Sequence, residues 1–264
     1  MVPAAPPSKG IIAAVTQKAT ICAIAVMAKA PRPGKVKTRL SPPLSPEEAM
    51  AMSAAFLRDV TENIQAAARE TAIAGYVAFA PAGLGPLFDG MLAEGTGLVL
   101  ADGVRDMPPG VEGFGRSLLH ATQALFAQGY GSVCVLNSDS PTLPTALLVR
   151  AARLLAEPGD HAVLGPAEDG GYYLLGMKAP HTELYAGMAW SSDRVAQQTR
   201  QAARGLALTL HELEPWYDVD DRAALQRLIA EASCPGARNL APFPAPATAA
   251  CLARLGLPVR LAAA

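Results

Sequence analysis

Residues 21–40 have the sequence ICAIAVMAKAPRPGKVKTRL, and this stretch decides the fold. Ile21–Ala28 is an apolar run that is long enough for one buried strand and too short to span a membrane. Pro31, Pro33 and Gly34 then prevent a helix or a strand from continuing. The loop that results carries five cations within eleven positions: Lys29, Arg32, Lys35, Lys37 and Arg39. A cationic Pro/Gly loop directly after a buried strand is typical of a phosphate site at the carboxyl edge of a parallel sheet.

The alternative interpretation of these cations is a solvated basic turn, but their position after a core strand favours phosphate binding. Two common phosphate-binding motifs are absent. A Walker A motif needs a glycine where Lys29 stands, and Val36 follows Gly34-Lys35 where a P-loop has Ser or Thr. A dinucleotide fingerprint needs a third glycine where Leu118 stands. The sequence therefore disfavours a P-loop NTPase and a Rossmann dehydrogenase.

Composition limits the classes of partner. The chain has 264 residues, of which 51% are hydrophobic and 17% charged, so one large globular domain is expected. The net charge of -1 gives no general attraction for nucleic acid or anionic membranes, and the basic loop is therefore expected to be a local site. No apolar run reaches the roughly 18 residues of a membrane span.

The cysteines and the chain ends predict location and domain organisation. Four cysteines without C-x-x-C or zinc-type spacing predict free thiols and a cytoplasmic location. Residues 1–19 are expected to form a loose Ala/Pro tail without the apolar core of a signal peptide. Residues 20–233 are expected to form the nucleotide-binding domain, and 234–264 a Pro-rich extension with one short helix.

Strand-like and helical segments alternate along the main domain. Ser45-Pro46-Glu47-Glu48 is a capping box, and the helix that it begins buries a stripe of apolar side chains at four-residue spacing, beginning at Met52. Alternation with short connections predicts a mainly parallel sheet with helices on both faces. Two strand-like runs around Glu168-Asp169-Gly170-Gly171 predict a hairpin, and hence an antiparallel strand. The predicted fold class is α/β with a mixed, mostly parallel sheet.

Asp139 follows the apolar run Val133–Leu136, so it is expected at the carboxyl end of a strand, where α/β sheets place ligands. The flanking serines and Pro141 prevent the strand from continuing. We expect Asp139 to be catalytic and to bind Mg²⁺ or Mn²⁺ that bridges phosphates. The alternative is a helix N-cap, although Thr142 is better placed for that function.

Asp169 is the second candidate catalytic carboxylate. Asp-Gly is also an ordinary turn signal, and this alternative carries equal weight. Gly170 and Gly171 allow the backbone to approach a ligand closely, which favours a functional position for Asp169. A cationic loop and two separated carboxylates suit metal-assisted transfer from a phosphate ester, with the second carboxylate able to accept a proton.

Weaker candidates lie further along the chain. Trp190 could stack on a sugar or base on the acceptor side, although a core Trp before a helix capped by Ser191 or Ser192 is favoured. Asp218, Asp220 and Asp221 are most simply helix-capping acids, with a metal-binding function for Asp218 or Asp220 as the minor alternative. The four histidines show no metal or triad spacing.

Five motifs, in this order, resemble a known family: MAKAPRPGKVKTRL, NSDSPTLP, LGPAEDGGYYLLG, AWSSD and WYDVDD. It is the GT-A-fold glycosyltransferase family of the radical-SAM/selenodomain-associated, or arsenosugar-biosynthesis, type, within the nucleotide-diphospho-sugar transferase superfamily. The resemblance covers residues 20–230. The chain is also similar to 2-phospholactate guanylyltransferase and the molybdenum cofactor nucleotidyltransferases.

The resemblance implies positions for the ligands. The phosphates of a nucleotide would lie on the loop Lys29–Arg39, with Lys29, Arg32, Gly34, Lys35, Lys37, Thr38 and Arg39 as the contacts. Asp139 would replace the metal aspartate of a D-x-D motif. Asp169 would lie across the cleft near the acceptor, with Gly170, Gly171 and Trp190 on the same side. Ser-Asp-Ser lacks the first aspartate of that motif, and Gly113–Leu118 departs from the Leu-Gly-x-Arg-Met run of the family.

The sequence therefore predicts a Mg²⁺- or Mn²⁺-dependent transferase that uses a nucleotide-activated donor. The first hypothesis is glycosyl transfer from a nucleotide sugar to a small acceptor. The alternative is nucleotidyl transfer from an NTP to a small phosphorylated or acidic acceptor, which the number of loop cations favours slightly. A non-enzymatic nucleotide-binding regulator is disfavoured because Asp139 and Asp169 are present.

Overall fold

The computed structural model describes residues 18–233 and 239–262. Within them a seven-stranded sheet has the order β3-β2-β1-β4-β6-β5-β7. β6 is antiparallel to β4 and β5, and every other pairing is parallel. The predicted mixed, mostly parallel sheet is confirmed. The strands are β1 (Cys22–Lys29), β2 (Ile73–Ala80), β3 (Gly97–Leu100), β4 (Ser132–Leu136), β5 (His161–Pro166), β6 (Tyr172–Met177) and β7 (Thr209–Glu212).

Helices cover both faces of this sheet, as predicted. The helices are α1 (Pro46–Ala68), α2 (Phe114–Ala127), α3 (Thr145–Ala156), α4 (Val195–Gly205), α5 (Arg222–Ser233), α6 (Pro246–Arg254) and α7 (Leu257–Ala262). Residues of α1, α3, α5 and α6 belong to one hydrophobic cluster, and residues of α2 and α4 belong to the other.

The central strand β1 contributes to both clusters because its side chains alternate. Ile24 and Val26 face the cluster with α1, and Ala23 and Ala25 face the cluster with α2. All four are completely buried. A strand buried on both faces has a continuous apolar sequence, which is why the run Ile21–Ala28 identified it.

The capping box at the start of α1 is confirmed. Ser45 Oγ accepts from Glu48 N at 3.2 Å, and Glu48 Oε2 accepts from Ser45 N at 2.9 Å. The predicted stripe of apolar side chains, Met52, Phe56, Val60 and Ile64, is buried. The first strand thus leads through the cationic loop into a well-defined helix, which fixes both ends of the loop.

Two helix starts differ from the prediction. Neither Ser191 nor Ser192 caps α4, which begins at Val195; Ser192 Oγ instead donates to Ala189 O at 2.7 Å. α5 begins at Arg222, because the segment before it is extended and continues from β7 towards the end of β4. Of the predicted capping acids, Asp221 accepts from Ala224 N at 2.8 Å.

Two short helices, α6 and α7, lie in the predicted C-terminal extension, and α6 packs on α1. The buried Asp59 of α1 accepts from Ala247 N and Thr248 N at 2.9 and 2.6 Å. Most of the predicted tail 1–19, and Cys234, lie outside the described residues. No helix among the described residues is long and apolar enough to cross a membrane.

Candidate active site

The topology brings the predicted polar segments to one edge of the sheet. β1, β4 and β5 run in the same direction, so the segments after Lys29, Leu136 and Pro166 leave the sheet at the same edge. The extended segment that precedes α5 also reaches this edge, where Val219 N donates to Asp139 O at 2.8 Å. A cleft in two lobes lies there.

The first lobe is a cavity of about 370 Å³ between the cationic loop and the end of β4. Its charged and polar lining includes Lys29, Lys35, Lys37, Thr38, Arg39, Ser138, Asp139 and Asp220. Small side chains at the ends of the strands line it as well: Ala28, Ala78, Ala80 and Ala101. Four cations therefore stand against two carboxylates, which gives this lobe a positive charge.

Lys37 is the most constrained of the loop cations. Its Nζ lies 2.8 Å from Asp139 Oδ1 and 2.9 Å from Asp220 Oδ1, and it donates to Val219 O at 2.7 Å. Its side chain is 6% exposed. Burial opposes the charged ammonium, but the two carboxylates outweigh burial and raise the pKa of Lys37.

Hydrogen bonds to the backbone hold the segments of Asp139 and Asp220 together. Ser140 Oγ donates to Tyr217 O at 2.9 Å, next to the bond from Val219 N to Asp139 O. Val219 is completely buried, which anchors the extended segment in the core. Side chains alternate in extended backbone, so Asp218 and Asp220 both project away from the side on which Val219 is buried.

Asp218 adds uncompensated negative charge at this edge. Burial, followed by the negative charges of Asp169 and Asp220, raises its pKa from 3.8 to about 6. Burial acts in the same direction on Asp220, but the ammonium of Lys37 outweighs it and lowers the pKa of Asp220. Lys37 thus stabilises the charged form of Asp220, whereas the charged form of Asp218 has no such stabilisation.

The second lobe is a cavity of about 320 Å³ on the other side of Asp220. Arg39, Phe114 and Asp220 line both lobes, so the two lobes meet at these side chains. The remaining lining consists of Asp169, Gly171, Tyr172, Trp190, Ser191, Ser192, Asp193 and Val195. One cation here stands against three carboxylates, and the charge of this lobe is negative.

Gly170 joins the two loops that border the second lobe. Its φ of +90° is the conformation that glycine adopts without strain, and a Cβ there would lie 2.1 Å from Asp193 O. Its carbonyl accepts from Ala196 N at 2.9 Å. Asp169 Oδ1 accepts from Gly171 N at 2.8 Å, which orients the carboxylate at the turn between β5 and β6.

The structure places most of the predicted site residues on the cleft. Of the predicted phosphate contacts, Lys29, Lys35, Lys37, Thr38 and Arg39 line the first lobe. Arg32 and Gly34 are exposed, and the described lining of either lobe does not include them. Asp139 lies in the first lobe and is not a helix cap, because α3 begins at Thr145. Asp169, Gly171 and Trp190 line the second lobe, and Gly170 supports it.

Sequence reasoning gave too little weight to Asp220 and no function to Phe114, Tyr172 and Asp193. For Asp220 it favours a helix cap over metal binding, although the alternation Asp218-Val219-Asp220 after the last strand is a signal that both acids share one side. Phe114 carried no signal, because a single aromatic residue next to two glycines is not a motif. It is 51% exposed although it is large and apolar.

The residues present fit a divalent cation that binds together with phosphate. Mg²⁺ commonly uses one or two carboxylates, with water and phosphate oxygens as its other ligands. Asp139 and Asp220 form such a pair and already share a positive charge, the ammonium of Lys37. No group of three or more metal-binding side chains occurs among residues 18–233 and 239–262, so the described side chains supply a partial set of ligands.

Comparisons with known proteins agree with this architecture. A family model described as "Uncharacterized protein conserved in bacteria (DUF2064)" matches residues 63–192. A search of curated proteins gave no match. Among solved structures, the chain is similar to a candidate nucleotide-diphospho-sugar transferase from Desulfovibrio desulfuricans G20. The two are 26% identical with a TM-score of 0.73, over 91% of this chain and 97% of that one.

A more distant structure shares the fold. CMP:2-keto-3-deoxy-manno-octonic acid synthetase in complex with CTP is 11% identical, with a TM-score of 0.50, over 81% of this chain and 98% of that one. The Rv0371c protein of Mycobacterium tuberculosis H37Rv, in complex with manganese, is 18% identical over 79% and 97% of the two chains. The TM-score of this pair is 0.43. The chain has the fold of the nucleotide-diphospho-sugar transferases, which is GT-A-like.

Proposed function

We propose that the protein is a metal-dependent transferase that takes its donor from a nucleotide sugar and passes the glycosyl group to a small acceptor. The observation that carries this proposal is the positively charged first lobe, with the pair Asp139–Asp220 beside it, at the carboxyl edge of a GT-A-like sheet. Ligands of α/β sheets bind at this edge. The name given to the structure from D. desulfuricans supports the same class.

The charge of the first lobe suits a diphosphate. Of the five loop cations, Arg32 lies outside the lining and Lys37 is held by two carboxylates. Lys29, Lys35 and Arg39 remain exposed in the cavity. Three cations are close to the charge of the two phosphates of a nucleoside diphosphate, and charge-assisted hydrogen bonds are the strong contacts for such a group.

The second candidate function is nucleotidyl transfer from an NTP. A specific observation favours it: Lys37 also lines the first lobe, and together with Lys29, Lys35 and Arg39 it brings the cations there to four. Four cations suit a triphosphate better than a diphosphate. The two functions break different bonds, so their products separate them.

Asp139 and Asp220 are the residues that we assign to the metal, Mg²⁺ or Mn²⁺. When bound, such a cation would withdraw negative charge from the phosphates of the donor. The exposed loop cations would orient those phosphates. The hydrogen bond from Val219 N to Asp139 O keeps the carboxylates of Asp139 and Asp220 in place.

We assign proton transfer to Asp169. In glycosyl transfer the acceptor oxygen bonds to the anomeric carbon, and the bond from that carbon to the phosphate oxygen breaks with its electron pair on the nucleoside diphosphate. The acceptor hydroxyl loses its proton, which a carboxylate can accept. One oxygen of Asp169 is already oriented by Gly171 N, and its carboxylate faces the second lobe.

Thermal-shift measurements with NTPs, nucleoside diphosphates and nucleotide sugars, each with and without Mg²⁺ or Mn²⁺, test nucleotide binding. We expect stabilisation by nucleotides that increases with the metal. Arg39→Ala should weaken binding about tenfold, because it removes a charge-assisted contact. Arg32→Ala, the matched control on the same loop, should change binding less than about twofold. Equal effects of the two variants, or no response to any nucleotide, would overturn the proposal.

Phosphorus NMR identifies the reaction. A nucleotide sugar incubated with the protein and metal, without an acceptor, should slowly give free sugar and nucleoside diphosphate. Pyrophosphate formed from an NTP and an acceptor, with nucleotide sugars left intact, would replace the first function by the second.

Two further assignments belong to this proposal. The described cysteines Cys22, Cys134 and Cys251 are free and buried, which supports a reducing, cytoplasmic location. We also propose, on the five sequence motifs, that the chain is of the radical-SAM/selenodomain-associated, or arsenosugar-biosynthesis, type of transferase. The partners that we propose are thus a nucleotide sugar or NTP and a small molecule.

A further inference from the structure

We propose that the second lobe binds a neutral or cationic polyhydroxylated group, such as a sugar, and excludes anionic groups such as sugar phosphates. This inference rests on the proposed function and deepens it, because it names the chemistry of the group that lies next to the phosphates. It follows from the shape of the aromatic wall and from the charges around it.

The first observation is an aromatic wall: Tyr172 and Trp190 are partly buried and pack against the core, whereas Phe114 is exposed. Phe114 and Trp190 are perpendicular, with ring centroids 5.9 Å apart, and Tyr172 lies 6.5 Å from Trp190. All three line the second lobe. Phe114 is 51% exposed at the boundary of the two lobes, where burying its face against a ligand would be favourable. The carbon–hydrogen face of a sugar ring is such a ligand.

The wall is held in position. A Cβ at Gly115 would lie 2.9 Å from Trp190 Cζ2, so the absence of a side chain at this position lets the indole pack against the start of α2. Gln198 of α4 accepts from Ala189 N at 2.8 Å and fixes the residue before Trp190. A rigid aromatic surface loses little entropy when it binds a ligand.

The second observation is the sign of the charge. Asp169 and Asp193 face the lobe, and Asp220 lies at its boundary, where it shares Lys37 with Asp139. Arg39 is the cation in the described lining, and it also borders the first lobe, where phosphate would engage it. The carboxylates can accept hydrogen bonds from hydroxyl or ammonium groups and would repel a second phosphate or carboxylate.

Fluorescence of Trp190 provides the test, since the chain has two tryptophans and the other, Trp216, is buried. In the variant Trp216→Phe, we would titrate glucose, glucosamine and glucose 6-phosphate at constant ionic strength. We expect saturable changes with glucose and glucosamine, and binding of glucose 6-phosphate about tenfold weaker than that of glucose. When Asp169→Asn and Asp193→Asn are added to this variant, glucose 6-phosphate should bind less than about threefold more weakly than glucose.

Binding of glucose 6-phosphate as tight as that of glucose would overturn the proposal, and so would no response to any of the three. Nucleotide binding is measured on the same protein by thermal shift. A protein that binds nucleotides but fails the fluorescence test refutes this inference alone. One that passes the fluorescence test but binds no nucleotide refutes the proposed function.

The bound group could be the sugar of the donor or the acceptor. UDP-glucose and UDP, compared in the same fluorescence assay, address the first source. A response to UDP-glucose that UDP does not give identifies the donor sugar, and a response to glucose that persists with UDP present identifies an acceptor. Either response supports the proposal. The absence of both responses would contradict it.

Discussion

Asp218→Asn should make the protein more stable at neutral pH. The Asp218 carboxyl has a pKa of about 6 in the folded protein, against an ordinary value of 3.8, because it is partly buried and close to Asp169 and Asp220. A raised pKa means that the folded state binds this proton more tightly than the unfolded chain does. The free energy of unfolding therefore falls as pH rises from about 4 to 6. Above about pH 6 the ionised Asp218 destabilises the folded protein to its full extent.

The size of the effect follows from the two pKa values. The gap between about 6 and 3.8 corresponds to about 3 kcal/mol. Because part of the carboxyl is open to solvent, screening reduces this value, and we expect a gain of about 1–2 kcal/mol at pH 8. For a protein of this size that is an increase in Tm of roughly 2–6 °C. Asparagine keeps the shape and one acceptor oxygen while it removes the charge.

Urea denaturation in a buffer without divalent cations is the appropriate assay, because a bound cation would compensate for the charge. The gain should shrink to less than about 0.5 kcal/mol at pH 4, where the carboxyl of the folded protein is protonated. Asp193→Asn, an exposed carboxylate on the same cleft, is the control and should change stability by no more than about 0.5 kcal/mol. A variant no more stable than the parent at pH 8, or a gain that persists unchanged at pH 4, would refute this reasoning.

Three other substitutions test the cleft. Lys37→Met should lower the free energy of unfolding by about 1–3 kcal/mol, since it leaves two carboxylates without their shared cation, whereas the exposed Lys35→Met should cost less than about 0.5 kcal/mol. Urea denaturation measures both, and equal losses would contradict the pairing. Asp139→Asn should fold within about 1 kcal/mol of the parent and lose the Mg²⁺-dependent part of its stabilisation by nucleotide; metal dependence that persists would exclude Asp139 as a ligand. Gly170→Ala should cost at least about 2 kcal/mol and shift the fluorescence of Trp190, because its Cβ would overlap Asp193 O. Gly187→Ala, also at positive φ but with open space around it, should cost only about 1 kcal/mol, and equal losses would mean that backbone strain alone acts at Gly170.

The parts of the fold that the sequence predicts well are those that depend on neighbouring residues. The capping box at Ser45 and the apolar stripe of α1 are local patterns, and both are present in the structure. The hairpin between β5 and β6 follows from a turn signal between two apolar runs. Alternation of strands and helices then limits the sheet to a few topologies.

The parts that it predicts poorly depend on distant residues. A cation on a loop such as that of Lys37 normally contributes little to folding, but the partner of Lys37, Asp220, lies 183 positions away in the chain. Asp220 itself precedes a helix, and an acid at that position is normally a cap. Its extended backbone, and hence its direction, is set by the burial of Val219 and by the contact with Asp139. Neither of these is visible in a local pattern.

The division of charge in the cleft joins these observations. The first lobe has four cations against two carboxylates, and the second has one cation against three. A substrate with phosphates at one end and a neutral group at the other fits this arrangement in one orientation only. Its bond between the two parts would then lie where the lobes meet, at Arg39, Phe114 and Asp220. The diphosphate and the sugar of a nucleotide sugar are divided in this way at the anomeric carbon, so the charge pattern supports our proposal of glycosyl transfer over the transfer of a nucleotide to a phosphorylated acceptor.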